Sequence, residues 1–162
     1  MLRAGDALPD FTLPIAYADG RRAPVRFADH LGRGPVVLSF FPLAFTRTCT
    51  AQMCEMRDNH DQLEAMGATF FGFSCDAAPA NVAYAQREGL RHGIVSDPNR
   101  EVVDLVWETT EVLGVRRVPK RGWMVVDAAG VVRATWVSDD AGVWPGLAPV
   151  RDALARLPAT TA

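Results

Sequence analysis

The chain has 162 residues, of which 49% are hydrophobic and 22% are charged, and its formal net charge is −2. This length fits a single domain over residues 1–162, and the apolar content is high enough to build a core. The small net charge gives no indication of a nucleic acid or an anionic membrane as a partner. No apolar run approaches the ~20 residues of a membrane-spanning helix. The N-terminus lacks the apolar segment of a signal peptide, so we expect a cytoplasmic protein.

The first half of the chain predicts a hairpin and two buried strands around a long helix. A turn at residues 19–22 (DGRR) separates two extended segments and predicts an N-terminal β-hairpin. The β-branched and aromatic run VVLSFF (residues 36–41) is typical of a buried strand. Residues 48–66 predict one helix, which Gly67 ends. The run ATFFGFS (residues 68–74) predicts a second buried strand.

The second half predicts the rest of a parallel sheet. A helix begins near Pro79 and is followed by a short strand (GIVSD), a short helix (NREVVDLVWE), a hairpin around an Ala-Ala-Gly turn, and a closing helix (LAPVRDALARL). Residues 106–121 are assigned to the wall of a pocket or to a surface that binds a partner. Alternating strands and helices indicate a parallel sheet covered on both faces. The predicted fold is therefore α/β and thioredoxin-like, with a central mixed β-sheet, flanking helices and an N-terminal β-hairpin.

Two of the three cysteines lie at the start of the predicted long helix. Cys49 falls in its first turn, at the carboxyl end of a buried strand, where ligands bind in open α/β sheets. The unpaired N–H groups and the dipole of a helix N-terminus favour the thiolate, which is the nucleophilic form of cysteine. Thr46 can present its hydroxyl to the sulfur or to a bound oxygen. Pro42 ends the strand and shapes the loop that shields the thiol from water.

The second thiol, Cys54, allows several interpretations. In a regular helix, residues i and i+5 have Cα atoms about 8–9 Å apart, whereas a disulfide needs them within about 7 Å. A Cys49–Cys54 disulfide therefore requires local unwinding. Alternatively, both thiols are apolar core groups. Zinc binding by Cys49, Cys54 and His60 matches no common ligand spacing and lacks a fourth ligand, so we expect no metal and no cofactor. Cys75 is interpreted as a thiol of the core or of a strand end.

A family resemblance rests on this segment. Pro42-x-x-x-Thr46-x-x-Cys49 matches the active-site motif of the peroxiredoxins, and similar segments occur along nearly the whole chain, among them GFSCDA, VSDPNREVVDLV and RGWMVVDAAGVVR. The second thiol, five residues after the first, resembles the bacterioferritin comigratory protein (PrxQ) subgroup. FFPLAFT and RGWMVVDAAGVVR also resemble the AhpE-type subgroup, which commonly lacks that thiol.

The resemblance implies a thiol-dependent peroxidase that reduces hydrogen peroxide and organic hydroperoxides. It assigns Cys49 as the peroxidatic cysteine, which becomes a sulfenic acid, and Thr46 as a hydrogen-bonding partner of the peroxide or thiolate. It assigns Cys54 as the resolving cysteine, which forms an internal disulfide that thioredoxin or a similar dithiol reduces. Likeness to PrxQ favours a monomer over a dimer.

The resemblance also implies an active-site arginine. Arg121 is preferred over the neighbouring Arg117 and Lys120 because it directly precedes a predicted strand, and a fixed cation there would polarise the peroxide. One position departs from the family pattern. Many relatives carry Glu three residues after the peroxidatic cysteine, where this chain has Gln52, which we expect to alter one hydrogen bond without changing the chemistry.

Other functions remain open at this stage. A peroxiredoxin with one catalytic cysteine would leave Cys54 as a bystander, and a peroxide sensor would use the same switch without turnover. A protein disulfide oxidoreductase would need Cys-x-x-Cys, and a copper chaperone would need Cys-x-x-x-Cys and a membrane anchor; the sequence has none of these. None of His30, His60 and His92 is an obvious base for Cys49, which disfavours a cysteine protease or acyltransferase.

Overall fold

A seven-stranded mixed sheet forms the centre of the computed structural model, which describes residues 1–157. The strands of the chain are β1 (Thr12–Ala16), β2 (Pro24–Arg26), β3 (Val36–Phe40), β4 (Thr69–Ser74), β5 (Gly93–Ser96), β6 (Thr109–Val112), β7 (Val115–Pro119), β8 (Gly122–Val126) and β9 (Val132–Val137). The order in the sheet is β2-β1-β5-β4-β3-β8-β9. Strands β3, β4 and β5 are parallel, and β1 and β8 flank them in antiparallel orientation. The predicted mixed sheet is therefore confirmed.

Helices cover both faces of the sheet. They are α1 (Arg47–Asp58), α2 (His60–Ala65), α3 (Ala78–Glu88), α4 (Val103–Val106) and α5 (Ala148–Ala155). Residues of α1, α2, α3 and α5 pack into one apolar cluster, and α4 packs into the other together with a 3-10 turn at Phe27–His30. Among the described residues, no helix is long and apolar enough to cross a bilayer. The last part of the predicted domain, residues 158–162, lies outside the described residues.

The side chains of the buried strands alternate between the two apolar clusters on opposite faces of the sheet. Along β3, Val36 and Leu38 contribute to one cluster, whereas Val37 contributes to the other, because successive side chains of a strand point to opposite faces. Every residue of β3 is buried, which explains why four of its five residues are apolar instead of alternating with polar ones.

The prediction of one helix over residues 48–66 is wrong, because the chain forms two helices that meet at Asn59. Asn59 has φ −104° and ψ 16°, outside the helical region. Its side-chain Nδ2 donates to the Glu55 carbonyl at 2.8 Å. A short polar side chain that bonds to nearby backbone competes with the helical hydrogen bonds, which accounts for the break. Gly67, with φ 76°, follows α2 as predicted.

A two-stranded hairpin, β6–β7, occupies most of the segment that the sequence left without an element. Leu113 and Gly114 form its turn, with φ values of 52° and 77°. Two consecutive positive φ angles match the tight turns that suit hairpins. The turn has Leu-Gly in place of the Asn-Gly or Asp-Gly that marks such turns in a sequence, and leucine rarely adopts a positive φ. The hairpin was therefore not predicted.

Candidate active site

Cys49 lies in the first turn of α1, just after β3 and its following loop. Thr46 caps the helix in an extended conformation, and its carbonyl accepts the first helical hydrogen bond, from the Thr50 N–H at 2.9 Å. The first N–H groups of α1 have no partner within the helix and present partial positive charge at this end. Cys49 itself is only 1% exposed. Its sulfur therefore lies shielded from water at the positive end of the helix.

Arg121 supplies a full positive charge to the same position. Its Nη2 lies 3.3 Å from Cys49 Sγ, and the residue is only 2% exposed. Nε and Nη2 also donate to the Ala141 carbonyl, at 2.9 and 2.7 Å. Within residues 1–157, none of its hydrogen bonds or ion pairs goes to a carboxylate. The guanidinium charge is therefore left to act on Cys49 and on any oxygen bound beside it.

The two other basic residues considered for this role lie elsewhere. Arg117 forms an ion pair with Asp104. Lys120 forms ion pairs with Glu108 and Asp139, each at 3.0 Å. Both are therefore engaged with carboxylates of the surface, away from the Cys49 sulfur.

Gln52 holds the arginine in place, a role that the sequence did not predict. Its Oε1 accepts a hydrogen bond from Arg121 Nη1 at 2.5 Å. Its Nε2 donates to Ser39 Oγ at 2.7 Å and to the Phe40 carbonyl at 3.1 Å. The fully buried amide thus links β3, α1 and Arg121. The sequence did show a polar residue three positions after Cys49, which places it on the same, inward-facing side of the helix as the cysteine.

Thr46 directs its hydroxyl away from the sulfur. Its Oγ1 donates to the Leu43 carbonyl at 2.9 Å, and the structure gives it no hydrogen bond to Cys49. Because a hydroxyl has one proton and two lone pairs, this bond leaves the Thr46 oxygen free to accept. The hydroxyl group of a hydroperoxide is a suitable donor to it.

The loop between β3 and α1 is fixed from an adjacent strand. Pro42 is buried, and the Ala44 N–H donates to Asp76 Oδ2 at 2.9 Å. Phe45 has φ 64°, a conformation that is unusual for a bulky residue and needs such support. Asp76 was not predicted as part of the site. The sequence did place a carboxylate just after the predicted strand β4. Because β3 and β4 are parallel, their carboxyl ends lie at the same edge of the sheet.

Cys54 is a half-buried residue of the same helix. Its Sγ lies 3.8 Å from Glu88 Oε2. Burial raises the pKa of the Cys54 thiol, the Arg57 charge opposes this shift, and the Glu88 carboxylate adds to it. Cys49 and Cys54 are both free thiols within the continuous helix α1. The structure therefore corresponds to the reduced protein.

The third cysteine lies at the end of a strand, outside these contacts. Cys75 follows β4, and burial raises the pKa of its thiol to about 12. Its thiolate, the nucleophilic form, is therefore disfavoured at physiological pH.

Comparisons with known proteins identify relatives of this chain. The model of the AhpC/TSA family matches residues 4–135, a range that includes Cys49, Cys54 and Arg121. Peroxiredoxin Bcp of Escherichia coli is 35% identical over 115 residues, which are 70% of this chain and 70% of its own length. A Mycobacterium tuberculosis relative, likewise assigned to the peroxiredoxins, is 35% identical over 87% of this chain and 81% of its own length.

The chain belongs to the peroxiredoxin family. It is a thiol-dependent peroxidase of the bacterioferritin comigratory protein (PrxQ) subgroup. The crystal structure of the peroxidoxin BcpB from Mycobacterium tuberculosis superimposes with a TM-score of 0.79 at 28% identity, covering 96% of both chains. AhpC of Enterococcus faecalis has a TM-score of 0.84 at 18% identity, which supports the fold alone. The family and the thioredoxin-like fold of this peroxiredoxin were both predicted from its sequence.

Proposed function

We propose that this peroxiredoxin works through two cysteines of α1. The Cys49 thiolate attacks the terminal oxygen of hydrogen peroxide or an organic hydroperoxide. The S–O bond forms as the O–O bond breaks, which leaves a Cys49 sulfenic acid and, after protonation, water or an alcohol. The contact of 3.3 Å between Arg121 Nη2 and Cys49 Sγ carries the first step of this proposal, the attack of Cys49 on the peroxide.

Arg121 and Thr46 have complementary parts in the first step. The guanidinium stabilises the thiolate before the reaction and the negative charge that moves onto the departing oxygen during it. The Thr46 oxygen, oriented by its bond to the Leu43 carbonyl, accepts a hydrogen bond from the hydroxyl of the substrate and aligns the O–O bond with the sulfur. Pro42 shields this pocket from bulk water.

Cys54 resolves the sulfenic acid in the second step. Its sulfur attacks the Cys49 sulfur, an S–S bond forms, and the hydroxyl of the sulfenic acid leaves as water with the thiol proton. Because the two residues are five positions apart in α1, the first turns of the helix must unwind to allow the bond. A helix end is the least costly part of an element to open.

The cycle closes through an external dithiol. Thioredoxin or a similar protein attacks the Cys49–Cys54 disulfide and leaves with a disulfide of its own, which returns both cysteines to thiols. Such a reductant belongs to a reducing compartment, so we propose that the enzyme acts in the cytoplasm. Because both cysteines lie in one helix, the cycle needs no second subunit, and we propose that the monomer is active.

The substitution Cys54→Ser tests this cycle against resolution by an external thiol. After one equivalent of peroxide, we expect the parent protein to lose about 2 Da, with Cys49 joined to Cys54, and the variant to gain about 16 Da on Cys49. Intact mass with peptide mapping measures both. Turnover with thioredoxin should fall steeply in the variant, and unchanged turnover would show that Cys54 does not resolve Cys49. Cys75→Ser serves as the control and should retain the parent's disulfide and turnover.

A further inference from the structure

The two thiols of α1 are in contact with opposite charges. Cys49 Sγ lies 3.3 Å from Arg121 Nη2, whereas Cys54 Sγ lies 3.8 Å from Glu88 Oε2. A protonated thiol can donate its hydrogen to a carboxylate, but a thiolate in the same place is repelled by it. The contact with Glu88 therefore favours the thiol form of Cys54, whereas the guanidinium of Arg121 attracts negative charge at Cys49.

Glu88 occupies a position that the electrostatics of its own helix disfavour. It is the last residue of α3, which Gly89 caps in a left-handed conformation. The C-terminus of a helix carries partial negative charge and favours cations, so a carboxylate there is destabilising. The Glu88 side chain is nevertheless only 17% exposed. Its inward placement beside Cys54 is therefore not explained by the stability of α3.

Neighbouring contacts keep the Glu88 carboxylate directed at the thiol. Arg87 Nε lies 3.3 Å from Glu88 Oε1, which leaves Oε2 to Cys54. The guanidinium of Arg57 donates a hydrogen bond to the Glu88 carbonyl and so ties the end of α3 to α1. Both oxygens of the carboxylate and the backbone beside it are thus engaged.

A row of polar contacts joins α1 to α3 on both sides of Cys54. One turn before Cys54, Thr50 Oγ1 accepts a hydrogen bond from the Tyr84 hydroxyl at 3.1 Å. Arg57 makes its contact with Glu88 almost one turn after Cys54. Residues spaced by four and three positions share one face of a helix. The reduced helix therefore holds Cys54 in the middle of its interface with α3.

The other ionisable groups around Cys54 leave the effect of Glu88 in place. Arg57 also pairs with Asp58 at 2.8 Å. Burial raises the pKa of Tyr84, so its hydroxyl is neutral. For Cys54 itself, burial raises the pKa of the thiol, the Arg57 charge opposes the shift, and the Glu88 carboxylate adds to it.

We propose that Glu88 is a positioning residue that holds Cys54 as a thiol in the reduced helix and so delays its attack on the Cys49 sulfenic acid. This proposal rests on the two-cysteine cycle proposed above. In the attack, Cys54 gives up its contact with Glu88 and its proton, and its sulfur bonds to Cys49 Sγ. The S–O bond breaks and the leaving hydroxide takes up a proton, so the products are one disulfide and one water.

A delayed second step has a consequence at high peroxide. The Cys49 sulfenic acid can instead react with a second hydrogen peroxide, whose O–O bond breaks to give a sulfinic acid and water. Thiols do not reverse that product. The more slowly Cys54 attacks, the larger the fraction of enzyme lost in this way. Glu88 would therefore lower the peroxide concentration at which the enzyme is inactivated.

Alkylation tests the hold on Cys54 by itself. The parent for this experiment carries Cys49→Ser and Cys75→Ser, so that Cys54 is its only thiol. We expect Glu88→Gln to be labelled by iodoacetamide at least about threefold faster near pH 8, because removal of the carboxylate charge increases the thiolate fraction. The pH profile of labelling should move to lower pH, whereas a purely structural role of Glu88 would change the rate without moving the profile.

The matched control is Asp58→Asn, which removes an exposed carboxylate one turn after Cys54 on the same helix. We expect it to change the labelling rate by less than about twofold, because an exposed charge without a direct contact is screened by solvent. Equal effects of Asp58→Asn and Glu88→Gln would show that general negative charge, and not the contact, acts on the thiol.

The rate of disulfide formation tests the delay. Acid quenching and mass spectrometry after one equivalent of peroxide follow the sulfenic acid and the disulfide in the protein with all three cysteines. We expect Glu88→Gln to form the Cys49–Cys54 disulfide at least about threefold faster, with an unchanged rate of Cys49 oxidation. In excess peroxide, the variant should accumulate less sulfinic acid than the parent.

Two results would overturn the proposal. An unmoved alkylation profile would mean that the contact does not act on the thiol, and slower disulfide formation in Glu88→Gln would make Glu88 a base for Cys54. A parent that forms no Cys49–Cys54 disulfide would contradict the two-cysteine cycle and the delay together, and the alkylation profile separates that failure from a failure of the contact. Glu88→Gln is nearly isosteric, circular dichroism checks its fold, and Glu88→Ala is a second variant with the same expected direction.

Discussion

The Cys49 sulfur is surrounded by a small number of contacts with distinct effects. Arg121 brings the only full charge that the structure places in contact with Cys49 among the described residues, and Gln52 fixes the direction of its guanidinium. Thr46 keeps an oxygen ready to accept because its proton is used by the Leu43 carbonyl. A charge beside the sulfur acts strongly because both groups are shielded from water.

Replacing Arg121 should weaken the first chemical step. For Arg121→Gln we expect kcat/KM for hydrogen peroxide to fall by about 10²–10³, because a fixed donor to the developing charge is lost. Stopped-flow oxidation of the reduced protein measures this rate. Arg117→Gln removes a positive charge four residues earlier in the chain, which pairs with Asp104, and it should leave the rate unchanged. Equal losses in the two variants would mean that general surface charge matters instead of the contact with Cys49.

Cys75 should react only at high pH. Burial raises the pKa of its thiol to about 12, so the thiolate is scarce in the folded protein until the pH approaches that value. We expect iodoacetamide to label Cys49 at pH 7 and to leave Cys75 unmodified up to about pH 10, with labelling that increases above it. Peptide mapping after timed alkylation measures each site. The same labelling in urea should modify Cys75 readily near pH 9, because unfolding removes the burial. Rapid labelling of Cys75 at pH 7 in the folded protein would contradict this prediction.

At the scale of elements, α1 joins the two thiols to the residue that positions the arginine. Cys49, Gln52 and Cys54 lie within two turns of this helix. Unwinding those turns to form a disulfide would move Gln52 as well and release its bond to Arg121. α1 ends at Asp58 and α2 begins at His60, so we expect the unwinding to stop short of α2.

Oxidation should therefore open α1 and leave the sheet intact. We expect amide hydrogen exchange in residues 47–56 to become much faster when the Cys49–Cys54 disulfide forms, because the helical hydrogen bonds are lost. Exchange in β3 and β4 should not change. Mass spectrometry of peptic peptides measures both regions. Peroxide-treated Cys54→Ser, which cannot form the disulfide, should keep its protection, and equal exposure in that variant would point to the sulfenic acid as the cause.

At the scale of the whole molecule, Glu55 ties α1 to the last third of the chain. Its carboxylate accepts hydrogen bonds from Trp144 Nε1 at 2.6 Å and from the Leu147 N–H at 3.0 Å. Leu147 directly precedes α5, so this carboxylate joins α1 and α5, which pack on the same face of the sheet. Contacts between residues so far apart in sequence hold the closing segment against the core.

Removing this carboxylate should destabilise the fold. We expect Glu55→Ala to lower the free energy of unfolding by about 1–3 kcal/mol, because two partly buried donors lose their acceptor. Urea denaturation of the reduced protein measures it. Asp58→Asn, which alters an exposed ion pair with Arg57 on the same helix, should change stability by less than about 0.5 kcal/mol. Similar losses in both variants would show that the hydrogen bonds of Glu55 to Trp144 and Leu147 contribute no more to stability than an exposed ion pair.

The order of strands and helices was predictable because it depends on local patterns of apolar residues and turns. The same holds for the segment from Pro42 to Cys49, where a strand, a turn and a helix start follow one another directly. The break at Asn59 was not predictable, because the surrounding composition suits a helix throughout. The β6–β7 hairpin was missed because its turn contains leucine with a positive φ, which only the folded chain imposes.

The sequence by itself determined the family and the fold class and singled out Cys49 as the candidate nucleophile, since each rests on residues that are close together in the chain. Only the tertiary structure decided how Arg121 meets Cys49, 72 positions earlier. The register of β3 against β8 pairs Phe40 with Gly122 and so brings the preceding arginine to the sheet edge that carries the thiol. His30, His60 and His92, which come from separate parts of the chain, likewise line one cavity. Contacts of this kind depend on strand register and helix packing, which no local pattern of residues encodes.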